Sequence, residues 1–165
     1  MADNPQNGAA NQSAPGNGAA PQVRVLAQFI KDLSFENPSI GRLQIDPDEQ
    51  PAMRIEVNVN ANSVAPNIYE SVITLKAQGT VKAGVLYDLE IEYGAALGIE
   101  NVPQDQIEPF LLINCPQLTF PYVRRLVADI TREGGFPPLL LDPIDFAGLY
   151  IQRRQQAEDA GKTVA

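Results

Sequence analysis

Apolar and polar residues alternate along four stretches of this chain, and most of the polar positions are acidic. The clearest stretch is Leu86-Tyr87-Asp88-Leu89-Glu90-Ile91-Glu92-Tyr93. Side chains of a strand point alternately to opposite faces. Tyr87, Leu89, Ile91 and Tyr93 therefore share one face, and Asp88, Glu90 and Glu92 the other. The first run, about Val23–Glu36, sets Asp32, Ser34 and Glu36 against Leu33 and Phe35, but Leu26 and Ile30 break the pattern at its start. That break suggests cover on both faces there, and Asn37-Pro38 ends the strand. The second run, Met53–Val59, puts Met53, Ile55, Val57 and Val59 opposite Arg54, Glu56 and Asn58, with a turn expected over Asn60, Asn62 and Ala65-Pro66-Asn67. The third, Ile68–Gln78, turns Ile73 and Leu75 inward and Glu70, Thr74, Lys76 and Gln78 outward, with a turn starting at Gly79-Thr80. The fourth spans Val85–Tyr93. Short connections between runs three and four favour antiparallel pairing.

After Gly94 the period changes. Gln104–Asn114, with Ile107, Phe110, Leu111 and Leu112, predicts a helical or partly helical segment ended near Pro116. A longer helix follows over about Phe120–Glu133, with Pro121 in its first turn. Its Tyr122, Val123, Leu126, Val127 and Ile130 recur at three- and four-residue steps, and Gly134-Gly135 stops it. The Pro-bounded segment Phe136-Pro137-Pro138-Leu139-Leu140-Leu141-Asp142-Pro143 reads either as a loop plugging the core or as an exposed apolar wall. Asp145 caps a last helix, with Ile144 able to staple onto Leu149 and Phe146, Leu149 and Tyr150 on its apolar side.

These elements define an α+β fold: a four-stranded antiparallel sheet with one long helix and a C-terminal helix packed on one face. One helix layer covers only one sheet face, and the long helix is apolar around much of its circumference. A monomer would leave an apolar patch open, and two-fold homo-oligomerisation is the simplest resolution. The opposite face keeps a net negative charge, with Asp32, Glu36, Glu56, Glu70, Asp88, Glu90 and Glu92 against Arg24, Arg54 and Lys76. Alternation alone leaves two readings open there: a solvated face guarded by charge, or a docking surface for a basic partner.

Composition narrows the function. The chain has 165 residues, enough for one domain. Residues 1–22 hold one charge and no aromatic or β-branched side chain, which predicts a disordered N-terminal arm. The folded part is 23–154, and 155–165 reads as a flexible C-terminal tail. No secretory signal and no membrane span is evident. The net charge of −8 argues against nucleic acid. With no histidine and one cysteine, Ser–His and Cys–His dyads, the usual zinc sets and internal disulfides are all excluded. No phosphate-binding glycine motif is present. The chain reads as no enzyme, with no cofactor and no metal, in a reducing cytoplasm.

Four segments stand out in order and spacing: Lys31-Asp32-Leu33-Ser34-Phe35-Glu36-Asn37-Pro38, Tyr87 through Gly94, Cys115-Pro116-Gln117-Leu118-Thr119-Phe120-Pro121-Tyr122, and Gly135 through Leu141 with Pro143, Ile144, Asp145 and Phe146. Together they resemble the bacterial export chaperone family SecB. The resemblance covers about 25–154. It implies a cytoplasmic homotetramer, a dimer of dimers, that holds unfolded preproteins without ATP and delivers them to the SecA motor. It assigns the basic, zinc-bearing tail of SecA to Asp32, Glu36 and Glu90, and leaves Asp88 undecided. It assigns preprotein binding to Met53, Ile55 and Val57, to Phe136, Leu139, Leu140 and Leu141, and to Phe146 and Tyr150. Two other readings stay in view: a chaperone of this fold dedicated to an antitoxin or another single client, and a small-ligand-binding domain.

Overall fold

The computed structural model describes residues 18–38, 41 and 46–163. Most of the predicted arm, and residues 39–40 and 42–45 of the long first connection, lie outside that set. Four strands, β1 (Gln22–Glu36), β2 (Ala52–Ala65), β3 (Ile68–Val81) and β4 (Gly84–Glu100), form one antiparallel sheet in the order β1-β4-β3-β2. The helical layer follows as α1 (Gln104–Pro109), a π-helical turn (Phe110–Asn114), α2 (Cys115–Glu133) and α3 (Phe146–Thr163). The fold class read from the sequence is the one observed.

Alternation decides which face is covered. Ile73, Leu75 and Ala77 of β3 and Leu89, Ile91 and Tyr93 of β4 point to the helices and meet Phe120, Val123 and Val127 of α2. A second cluster joins Ala95, Leu97 and Ile99 to Ile107, Leu111 and Cys115. Burying these side chains supplies the main driving force for docking the layers, at about 25 cal/mol per Å² of apolar area.

Several boundaries move from their sequence positions. β2 runs through Asn60 and Asn62, because β3 supplies a paired residue to each, and the turn is confined to Pro66-Asn67. Asn67 takes φ 58°, a left-handed value Asn tolerates. β3 continues past Gly79-Thr80 to a turn at Lys82-Ala83, and β4 passes through Gly94 to Glu100. The helix expected to end near Pro116 does not end. A π turn absorbs the proline, and helical backbone runs from Gln104 to Glu133. α3 extends into the segment set aside as a tail and is helical to Thr163.

The broken pattern at the start of β1 has a geometric cause. Register shifts fall between Val25 and Ala27 and between Ile30 and Asp32, so Leu26 and Lys31 are extra residues. Each such bulge exchanges the faces of the residues beyond it. Val23, Val25, Ile30, Leu33 and Phe35 consequently all lie opposite helix-side residues of β4, despite their mixed numbering.

Candidate functional site

The outer face of the sheet divides into an apolar end and an acidic end. At the apolar end, Phe29 lies across Gly94, where an added Cβ would meet the ring at 2.7 Å, and Val72 in the same cross-strand row is buried. Leu26 lies over Gly98. At the acidic end the register builds cross-strand rows. Asp32 stands beside Glu92 and Thr74. Ser34 leads across Glu90 and Lys76 to Glu56, and Glu36 across Asp88 and Gln78 to Arg54.

These carboxylates are not equivalent. The Lys31 ammonium, placed by its bulge, donates to both oxygens of Glu70 at 2.9 and 3.1 Å, and Asn62 donates to the same carboxylate. The Glu70 side chain is only 12% exposed, so it ties strands together. Lys76 pairs with Glu90 at 3.2 Å, and Arg54 with Glu56. Gln78 donates to Asp88 at 2.8 Å. Asp32, Glu36 and Glu92 make no ion pair among the described residues. Of the three sequence-assigned acids, Asp32 and Glu36 thus stand on the edge strand β1 without a neutralising partner, whereas Glu90 shares Lys76. Ser34, Glu36, Glu56, Asp88 and Glu90 border a shallow depression of about 380 Å³.

The second group of assigned residues gathers on the opposite side, around the outer edge of β2. Met53 and Ile55 are 38% and 43% exposed, and Val57 is half-buried against the core. Gly79, opposite Met53, leaves room for the Tyr87 ring, which a Cβ would meet at 3.1 Å; the Tyr87 hydroxyl reaches Met53 Sδ at 3.7 Å. Tyr87 stacks on Phe35 and packs at a tilt against Phe136, with centroids 5.7 and 4.8 Å away. Burial pushes the Tyr87 phenol above its ordinary value.

The Pro-bounded segment is both plug and wall. Leu141 (3% exposed) and Phe146 (1%), the latter edge-on to Phe120, belong to the core, so they support the wall from behind. Phe136 and Leu139 are half-buried, and Leu140 is 69% exposed. Thr131, missed in the sequence reading, fixes this shape. Its fully buried hydroxyl donates to the Val127 carbonyl at 2.9 Å and accepts from the Leu139 N–H at 2.9 Å. A lone Thr in an apolar helix gives no sequence signal of such a bond.

Asp145 Oδ1 accepts from the Gly148 N–H and caps α3. Tyr150 and Arg153 then border two clefts between α3 and β2, of about 330 and 630 Å³. Arg153 donates to the Val59 carbonyl at 2.7 Å, and Arg154 lies over the Tyr150 ring. Among the described residues no three potential metal ligands cluster, and no helix is long and apolar enough to cross a membrane.

Residues 16–157 match the family described as Preprotein translocase subunit SecB. The chain is 45% identical over 154 residues to the protein-export protein SecB of Parvibaculum lavamentivorans, covering 93% of this chain and 92% of that one. It is 45% identical over 150 residues to its counterpart from Rhodopseudomonas palustris, covering 90% and 94%. Among solved structures, a Mycobacterium tuberculosis SecB-like chaperone in complex with a ChAD peptide from the HigA1 antitoxin shares the fold. Its TM-score is 0.62 at 14% identity, over 75% of this chain and 90% of that one.

Proposed function

The chain belongs to the SecB family of protein-export chaperones, and from that premise we propose how its two surfaces divide the work. Unfolded preproteins lie along the β2 edge and the neighbouring apolar wall, and the acidic end of the outer sheet face receives the basic tail of SecA. The observation that carries this reading is the separation of the surfaces. Unneutralised Asp32 and Glu36 stand at one edge of the sheet, on its outer face, while Met53, Ile55, Leu140 and Tyr150 stand around the other edge, toward the helices. Glu90, shared with Lys76, completes the docking face, and Gln78-bound Asp88 borders it.

Exposed apolar side chains bind an unfolded chain by removing its own apolar surface from water. An open strand edge adds main-chain bonds that do not depend on sequence. Holding the unfolded state opposes folding by mass action, which needs no nucleotide, cofactor or reaction. The structural neighbour with its antitoxin peptide supports the view that this fold takes a peptide segment; dedication to one client is the second reading.

The assembly is a homotetramer in the cytoplasm. Val23, Val25, Ile30 and Leu33 on the helix side of β1, with Leu118 and Tyr122 on α2, leave an exposed apolar strip. A second copy would cover it.

Light scattering of several unrelated denatured export clients tests this reading. Suppressed aggregation of all of them supports it, whereas suppression of one alone favours the dedicated chaperone. No suppression of any refutes both.

A further inference from the structure

β2 is the outer strand of the sheet, hydrogen-bonded to β3 on one side only. Alternate residues of an antiparallel strand turn their main-chain N–H and C=O toward opposite neighbours. Val59 reveals which set of β2 faces the open edge. Its N–H donates to Asn58 Oδ1 at 2.9 Å, and its carbonyl accepts from Arg153 Nη1 at 2.7 Å. With both groups engaged by side chains, Val59 belongs to the outward set, and Met53, Ile55, Val57 and Ala61 share its parity. Among the described residues no side chain closes the main chain of Met53, Ile55 or Val57.

From this we infer that Arg153 and Asn58 form a stop on the β2 edge. An extended client segment pairs with Met53, Ile55 and Val57 and halts at Val59. Continuing past Val59 requires breaking both side-chain bonds, one of them strengthened by the guanidinium charge. The second Arg153 nitrogen reaches Asn60 Oδ1 at 3.5 Å, so the group spans the lane an added strand would occupy. Added strands lie roughly 4.8 Å away, which is within the space the guanidinium fills. The stop also keeps the exposed edge short, and a short edge recruits fewer copies of itself. At the stop the client turns off the sheet into the α3 cleft lined by Val57, Leu149 and Tyr150. The inference rests on the proposed client-binding role of β2.

Residue-resolved amide exchange of the full-length protein tests it, with a reduced, carboxymethylated and permanently unfolded protein as client. In the native sequence, client should slow exchange at Ile55 and Val57 by roughly tenfold or more and leave Val59 and Ala61 unchanged. In the double variant Arg153→Gln/Asn58→Ala the slowed set should extend to Val59 and Ala61. Arg154→Gln, which removes the same charge from the neighbouring position, should keep the native footprint. Asn58 is exposed, so Asn58→Ala alone provides a variant with little risk to folding and should give a partial extension. An unaltered footprint in the double variant, or protection of Ala61 in the native protein, overturns the stop. Client bound with no protection anywhere on β2 overturns strand addition and the stop together while leaving the holding activity intact. Failure to bind client at all overturns the parent reading.

Discussion

The Ser71 hydroxyl donates to the Leu111 main-chain carbonyl at 2.7 Å, from near the start of β3 into the π turn. The bond replaces one that proline removes. In the π turn the Cys115 N–H reaches back five residues to the Phe110 carbonyl. The next residue, Pro116, has no N–H for the Leu111 carbonyl. Ser71 supplies the donor in a buried place where water cannot. Ser71→Ala should therefore cost about 1–3 kcal/mol, the range for an orphaned buried polar group. Urea unfolding of Ser71→Ala, Pro116→Ala and the double variant measures it. The two losses should fail to add, because each variant changes the same carbonyl's partner.

Thr131 performs a similar service for the apolar wall. Thr131→Val keeps the shape but leaves the Leu139 N–H without its acceptor. Stability should fall by about 1–3 kcal/mol. Exchange at the Leu139 amide should also accelerate well before global unfolding, showing that the segment has loosened locally. Unchanged local exchange would mean that packing of Leu139 and Leu141 alone holds the wall.

The acidic face should show a graded response. Asp32→Ala and Glu36→Lys should weaken SecA-tail binding and leave client binding unchanged, whereas Glu70→Gln should lower stability and spare docking, because Glu70 is already spent on Lys31. Titration calorimetry at two salt concentrations checks this. Exposed charges are screened beyond roughly 10 Å at 0.1 M salt, so native affinity should fall as salt rises. Equal loss of client and SecA binding in Glu36→Lys would refute the division of surfaces.

Much of this architecture was legible in the sequence because β3 and β4, sandwiched between neighbours and covered by α2, must alternate strictly. The edge strand β1 was less legible. Lys31 looks like any surface lysine until the bulge carries it to Glu70, and the broken alternation at Leu26 reads as cover on both faces rather than as an extra residue. Pro116 misled for a related reason. Its penalty is intrinsic to the helix, but its remedy, Ser71, lies 45 positions away (116 − 71) and acts only through tertiary structure. Asn60 and Asn62 are turn formers that β3 recruits into a strand. In the candidate site, exposure separated Leu140 from Leu141, a distinction that a run of three leucines cannot carry.

The apolar strip on β1 and α2 makes a prediction about assembly. Leu33→Glu or Ile30→Asp places a charge where a second copy would otherwise bury the side chain, and unpaired buried charge costs several kcal/mol. Both positions are exposed in the single chain, so the subunit itself should still fold. Sedimentation should show a smaller species than the native protein. A native protein that sediments as a monomer at micromolar concentration would remove the case for the assembly.

Cys115 ties core integrity to pH. Burial pushes its thiol up from the ordinary value, and the nearby Ser71 hydroxyl only partly opposes this. A thiol starts losing its proton near pH 8.5 in the unfolded chain, but at a higher pH in the fold. Between those values the folded state binds the extra proton, so stability falls as pH rises through the window and is fully present below it. Urea midpoints should accordingly decline above about pH 8.5. Cys115→Ser cannot ionise there and should flatten that part of the decline, although it starts from a lower stability. Alkylation of the native thiol should proceed at the rate of protein opening, because only the thiolate reacts and the buried site suppresses it. Rapid labelling under native conditions would show that the packing of Cys115 against Leu97 and Leu111 opens far more easily than its burial implies.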